Sequence, residues 1–109
     1  MLDEQEFRLR CEEAMTSLYK ALGTASDSFD FEADINNGAL TVELEHPPAK
    51  FVISPQTPVR QVWVSAHSKS FKLDWVPARN AFVLSESGQT LAELISAHIS
   101  AHLGEEVAL

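Results

Sequence analysis

Between Asp3 and Leu22, apolar residues recur every three or four positions: Phe7, Cys11, Ala14, Met15, Leu18 and Leu22. One stripe at that spacing predicts an amphipathic helix. Asp3, Glu4 and Glu6 fall in its first turns, where the helix dipole favours negative charge. Gly23 is the expected stop. The period then changes to two. Phe29, Phe31, Ala33 and Ile35 alternate with Asp30, Glu32 and Asp34, which predicts a half-buried strand with one acidic face. Asn36-Asn37-Gly38 holds residue types that tolerate positive φ, so a tight hairpin is expected. The return strand sets Leu40, Val42 and Leu44 against Thr41, Glu43 and Glu45.

His46-Pro-Pro-Ala49 interrupts this run. A short third strand is expected over Lys50–Ser54, a turn over Pro-Gln-Thr-Pro, a fourth strand over Val59–Ala66 and a fifth over Phe71–Trp75. A weaker sixth covers Ala81–Leu84. Thr90-Leu-Ala-Glu93 has the capping-box pattern, and Leu91, Leu94, Ile95, His98 and Ile99 continue it as a second helix ending at Gly104. The order helix, five or six antiparallel strands, helix predicts an α+β fold: a two-layer α/β sandwich, both helices covering one sheet face. The other face is left open. Alternation puts Gln61, Trp63 and Ser65 on it.

Length makes this one domain over residues 1–109, since 109 residues leave no room for a second core. No apolar run approaches the roughly 20 residues of a membrane span. The acidic N-terminal segment is unlike a signal or transit peptide, so a cytosolic protein, or the mature form of an imported one, is expected. The lone cysteine, Cys11, lies on the apolar stripe and is read as a buried structural thiol. Sixteen acidic residues against eight basic ones give a net charge of -8. That disfavours nucleic acid and favours cations or a basic protein surface.

Candidate chemistry is uneven. His98 and His102 have the i, i+4 spacing of a helical metal pair, but His98 falls in the apolar stripe, and packing is the better reading. No phosphate loop or nucleophile elbow is present. Acids stand out instead. Glu12 and Glu13 on the first helix and Asp27, Asp30, Glu32 and Asp34 around the first strand form one ridge if that helix packs beside that strand. Exposed carboxylates suit hard cations, weakly and with little selectivity. A solvated, charged edge strand explains the same residues without a metal. On the open face, Trp63 offers a large rigid contact surface, with Gln61 beside it, Lys72 on the neighbouring strand and Gln56 leading in from the turn.

Asp34–Leu44 (DINNGALTVEL), Ser54–Ser65 (SPQTPVRQVWVS), Phe71–Trp75 (FKLDW) and Ser87–Ile95 (SGQTLAELI) follow one another in an order that resembles the frataxin family. Pro-Gln-Thr-Pro-x-x-Gln-x-Trp is the most specific part. The resemblance implies an iron-binding protein of iron–sulfur cluster assembly. Fe²⁺ or Fe³⁺ would be held weakly and reversibly on the acidic ridge, with Glu12, Glu13, Asp27, Asp30, Glu32 and Asp34 as candidates. It further implies docking on a cysteine desulfurase and scaffold protein through Gln56, Gln61, Trp63 and Lys72, as a monomer or an iron-dependent oligomer. The implied action is by binding and not by turnover; a ferroxidase activity would require catalytic oxygen consumption. Family members often carry acids late in the first helix, where this chain reads SLYKALGTAS, and Asn where it has Ser54. The rival reading is a metal-independent acidic interaction module.

Overall fold

The structure, a computed structural model, describes residues 2–45 and 47–109. Helix α1 spans Glu4–Ser26. It starts on an Asp3 cap, whose carboxylate accepts from the Glu6 amide at 2.8 Å. Three ion pairs one turn apart run along its wet side: Arg8–Glu4 at 3.4 Å and Arg10 with Glu6 and Glu13, each at 3.2 Å. Such exposed pairs each contribute only about 0.3–0.5 kcal/mol. Most of the helix's stabilisation comes from the buried stripe of Phe7, Cys11, Met15, Leu18 and Leu22.

Gly23 does not stop α1. The helix runs through it to Ser26, one turn beyond expectation. Two hydroxyls steady that last turn by donating back to helix carbonyls, Thr24 to Lys20 at 3.1 Å and Ser26 to Gly23 at 2.8 Å. Ala25 and Phe29 then pack against the core. A glycine in αR costs about 1 kcal/mol, which docking of this kind can offset.

Among the described residues, seven strands follow in one antiparallel sheet: β1 (Phe31–Asn36), β2 (Ala39–Leu44), β3 (Ala49–Gln56), β4 (Gln61–Ala66), β5 (Lys69–Val76), β6 (Ala81–Leu84) and β7 (Gln89–Thr90). Their spatial order equals their chain order. The count exceeds the expected five or six because the two-residue β7 pairs with β6 just before the second helix. β1 begins at Phe31, not Phe29, because the chain leaving α1 still bonds back to it, Phe29 N–H to Ala25 at 3.0 Å. Asn37 and Gly38 both take positive φ, 54° and 81°, and close the β1–β2 hairpin as a two-residue turn. β4 starts at Gln61, because Thr57–Val59 forms a single 3₁₀ turn that ends on a left-handed Arg60. Val59 is therefore exposed rather than a strand residue.

Helix α2 (Leu91–Leu103) has the expected capping box: the Glu93 amide donates to Thr90 Oγ1 at 3.2 Å, and Thr90 N–H donates to Glu93 Oε1 at 2.9 Å. The Thr90 donors, helped by Arg79, hold the Glu93 carboxyl below its ordinary value. Both helices cover one sheet face, as expected. Leu40, Val42, Leu44, Phe51, Ile53, Val62, Val64 and Leu73 face them and are buried. Cys11 is buried too, and desolvation pushes its thiol up to about 12.

Candidate functional site

The uncovered sheet face carries the polar halves of the strands, and the register arranges them in rows. Glu32 stands opposite Glu43, and Glu43 opposite Lys50. The next row reads Asp34, Thr41, Val52, Ser65 and Ser70. Beyond it come Ser54, Trp63 and Lys72, and then Gln56, Gln61 and Asp74.

Trp63 lies on this face, as its alternation predicts, with 36% of its surface exposed. Its neighbours hold it in one orientation. Its indole N–H donates to Gln61 Oε1 at 3.0 Å, and Gln61 Nε2 donates to Asp74 Oδ1 at 3.2 Å. The Lys72 ammonium sits 4.9 Å from the ring centroid. Gln56 Nε2 donates to Ser54 Oγ at 3.3 Å, so Ser54 keeps a polar role at the start of this stretch. All four sheet residues expected from sequence, Gln56, Gln61, Trp63 and Lys72, therefore meet on adjoining strands. A fixed indole loses little side-chain entropy on binding, which suits it as an anchor.

The six candidate acids are not all brought together. Glu32 and Asp34 line a shallow groove with Ser26, Thr41 and Glu43. Asp27 caps the C-terminus of α1 and Asp30 lies in the connection that enters β1, both exposed. The last turn of α1 carries no basic residue, so its partial negative charge adds to that of the carboxylates. Glu43 belongs to this group and is absent from the sequence-derived set. Counting outward from the Asn37-Gly38 turn pairs it with Glu32, so the hairpin register could have found it.

Glu12 and Glu13 stand apart, on different sides of α1. Glu12 borders the groove with Ile35, Gly38 and Thr57. Glu13 borders the groove with Trp75 and is tied to Arg10, whose guanidinium also lies 5.3 Å from the Trp75 ring centroid. Among the described residues, no three His, Cys, Asp or Glu side chains converge to hold a metal ion. The acids around β1 thus form an open field of negative charge and not a preformed cage. β1 and β4 are three strand spacings apart, about 14 Å, so the acids and Trp63 occupy one continuous face.

A frataxin-like domain model matches residues 1–105. The chain belongs to the frataxin-like family. This family consists of non-enzymatic regulators of iron–sulfur assembly. Two relatives, each named iron–sulfur cluster assembly protein CyaY, are similar to this frataxin-like chain. That of Azotobacter vinelandii is 29% identical over 100 residues, covering 90% of each chain. That of Tolumonas auensis is 29% identical over 93 residues, covering 84% of this chain and 86% of its own. The frataxin of Psychromonas ingrahamii shares the fold with a TM-score of 0.84 at 21% identity, over 98% of this chain and 97% of its own. Among the described residues no helix is long and apolar enough to cross a membrane.

Proposed function

We propose that this frataxin-like chain regulates iron–sulfur cluster assembly in the bacterial cytoplasm. It binds Fe²⁺ or Fe³⁺ weakly at the α1–β1 acids and docks on a cysteine desulfurase and scaffold complex through the Trp63 face. Iron is cargo here, taken up and released. The observation that carries the reading is the shared face: exposed acids and a braced, exposed tryptophan on one sheet surface that no helix covers.

The physics supports a division of labour. Asp27, Asp30, Glu32, Asp34 and Glu43, together with the end of α1, draw cations and steer a basic partner surface inward. Open oxygen ligands exchange metal quickly, which suits delivery better than storage. Trp63 supplies the desolvated contact, with Gln56, Gln61 and Lys72 around it. Glu12 and Glu13 add long-range field only. The absence of a converging trio among the described residues favours the rival reading, a metal-independent module that docks by charge alone.

One comparison separates the two. The variant carrying Asp30→Asn, Glu32→Gln and Asp34→Asn is titrated with Fe²⁺ in the presence of physiological Mg²⁺, and desulfurase activity and cluster assembly are measured at controlled iron. Iron delivery predicts that both iron binding and the effect on assembly fall. Loss of the assembly effect with an unchanged iron isotherm supports the module. No effect of either the wild-type or the variant chain on assembly would refute the proposed role altogether.

A further inference from the structure

The β4–β5 turn contains no glycine, yet both its residues are left-handed: His67 at φ 50° and Ser68 at φ 65°. Two-residue hairpin turns of this type strongly prefer Asn-Gly, and side chains at such φ are strained. The strained position puts the His67 ring between two histidines of α2. His67 Nδ1 lies 3.1 Å from His98 Nδ1, and His67 Nε2 lies 3.2 Å from His102 Nδ1. His102 Nε2 in turn lies 2.7 Å from the Pro47 carbonyl. The Phe51 ring meets His67 edge-on at 4.9 Å, and the Phe71 ring lies 5.2 Å from His98.

The Pro47 carbonyl only accepts, and this sets every proton in the row. His102 must donate from Nε2, so neutral His102 has a bare Nδ1. His67 must then donate to it from Nε2, which leaves His67 Nδ1 bare. His98 must donate to that atom from its own Nδ1. Three neutral rings thus satisfy all three contacts with one N–H each. His98 Nε2 is the one ring nitrogen left over. A first added proton can enter there with no bond broken, and the proton between His98 and His67 becomes shared. A second has no such place. It would set two N–H groups against each other at about the hydrogen-bond distance and bring two charged rings into contact.

We propose that His67, His98 and His102 form a proton-linked clasp. It holds the last turns of α2 and the Pro47 segment to the β4–β5 turn near neutral pH, and opens in mild acid. The three rings act as rivals for protons and do not converge as metal ligands. The charges around them point the same way. Among the described residues, Lys69 from β5 is the nearby cation, β3 and β5 present the Phe51 and Phe71 rings, and Pro47 presents its carbonyl. Among the described residues no carboxylate is ion-paired to any of the three rings. Burial first, then His67 and Lys69, hold His98 below its ordinary value of 6.5. A base depressed by folding binds more protons when unfolded. The stability it contributes is complete above about 6.5 and is lost as pH falls below it.

The test uses amide hydrogen exchange on the full chain and on H67N, in which asparagine keeps the left-handed turn but cannot bridge both rings. After correction for intrinsic rates, protection of the Ile99–Leu103 amides should fall about tenfold between pH 7.5 and 5.0 in the wild type. In H67N it should start lower and fall less, because burial and Lys69 still disfavour a charged His98. Protection independent of pH in the wild type, or an equal fall in H67N, would overturn the clasp. Imidazole ¹⁵N shifts of the wild type give a reading that needs no variant. The proposal requires His98 protonated on Nδ1 and His102 on Nε2 at pH 7.5. Free averaging of all three rings between tautomers refutes it.

Discussion

The pairing of Glu32 with Glu43 makes the acidic field measurable as a stability cost. The two residues face each other across β1 and β2 on the exposed side of the sheet. Directly opposed like charges destabilise a strand pair by up to about 1 kcal/mol. Two charges about 6 Å apart in a water-like medium repel by about 0.7 kcal/mol, which agrees. β1 is the edge strand, so Glu32 has no partner strand on its other side, whereas Glu43 also faces Lys50. Glu32 is therefore the cleaner position to change. E32Q should stabilise the fold by about 0.3–0.7 kcal/mol, and E32K, which turns repulsion into attraction, by about 1 kcal/mol. Urea unfolding at low and high NaCl measures this, since urea leaves the ionic strength alone. The gain should shrink at high salt, where exposed charges are screened within about 3–8 Å. E32K no more stable than wild type at low salt would mean that these carboxylates do not form a repelling field. The electrostatic basis of the cation reading would fail with it.

Other expectations follow from single contacts. Trp63→Ala removes one hydrogen bond, one cation–π contact and the covered part of the indole, so it should cost about 2–3 kcal/mol of fold stability. As a docking anchor it should raise the Kd for a desulfurase–scaffold complex about 30-fold or more, read by calorimetry. Thr90→Ala removes the acceptor of the Glu93 amide and leaves the backbone bond from residue 90 to Glu93 Oε1; it should cost about 1 kcal/mol, lowering Tm by roughly 4–8 °C. Cys11, with its thiol pushed up to about 12, should resist iodoacetamide at pH 8 until the chain unfolds. Its native rate should be on the order of a thousandfold below that of a free thiol.

Periodicity was enough to read the helices, the inward faces of the strands and the outward Trp63, because burial repeats along the chain at the period of each element. The length of α1 was not readable in this way. Gly23 is a stop signal by conformational preference, and only the docking of Ala25 and Phe29 overrides it. The acids divide similarly. Glu32 and Asp34 were placed by alternation, and Glu43 joins them through hairpin register. Glu12 and Glu13 fall to different sides because neighbours on a helix differ by about 100° in direction, which a count of charges ignores. The histidine cluster was least legible. His98 and His102 are visible as a spaced pair, but the arrival of His67 depends on where a turn meets a helix. No sequence spacing encodes that.

Chain order and spatial order coincide across the whole sheet, and this bears on how the molecule reaches its fold. Each strand pairs with the strand just made, so every ladder closes over a short connection and little loop entropy stands in its way. The sheet can zip from any hairpin. The exception is the groove between the helices, where Ala14 and Leu18 face Leu91 and Leu109 from opposite ends of the chain. That closure spans nearly the full length, so mutations there should act mainly on the unfolding rate. Mutations in the hairpins should act on the folding rate. A meander sheet thus lets this protein assemble its open face before its two ends have met.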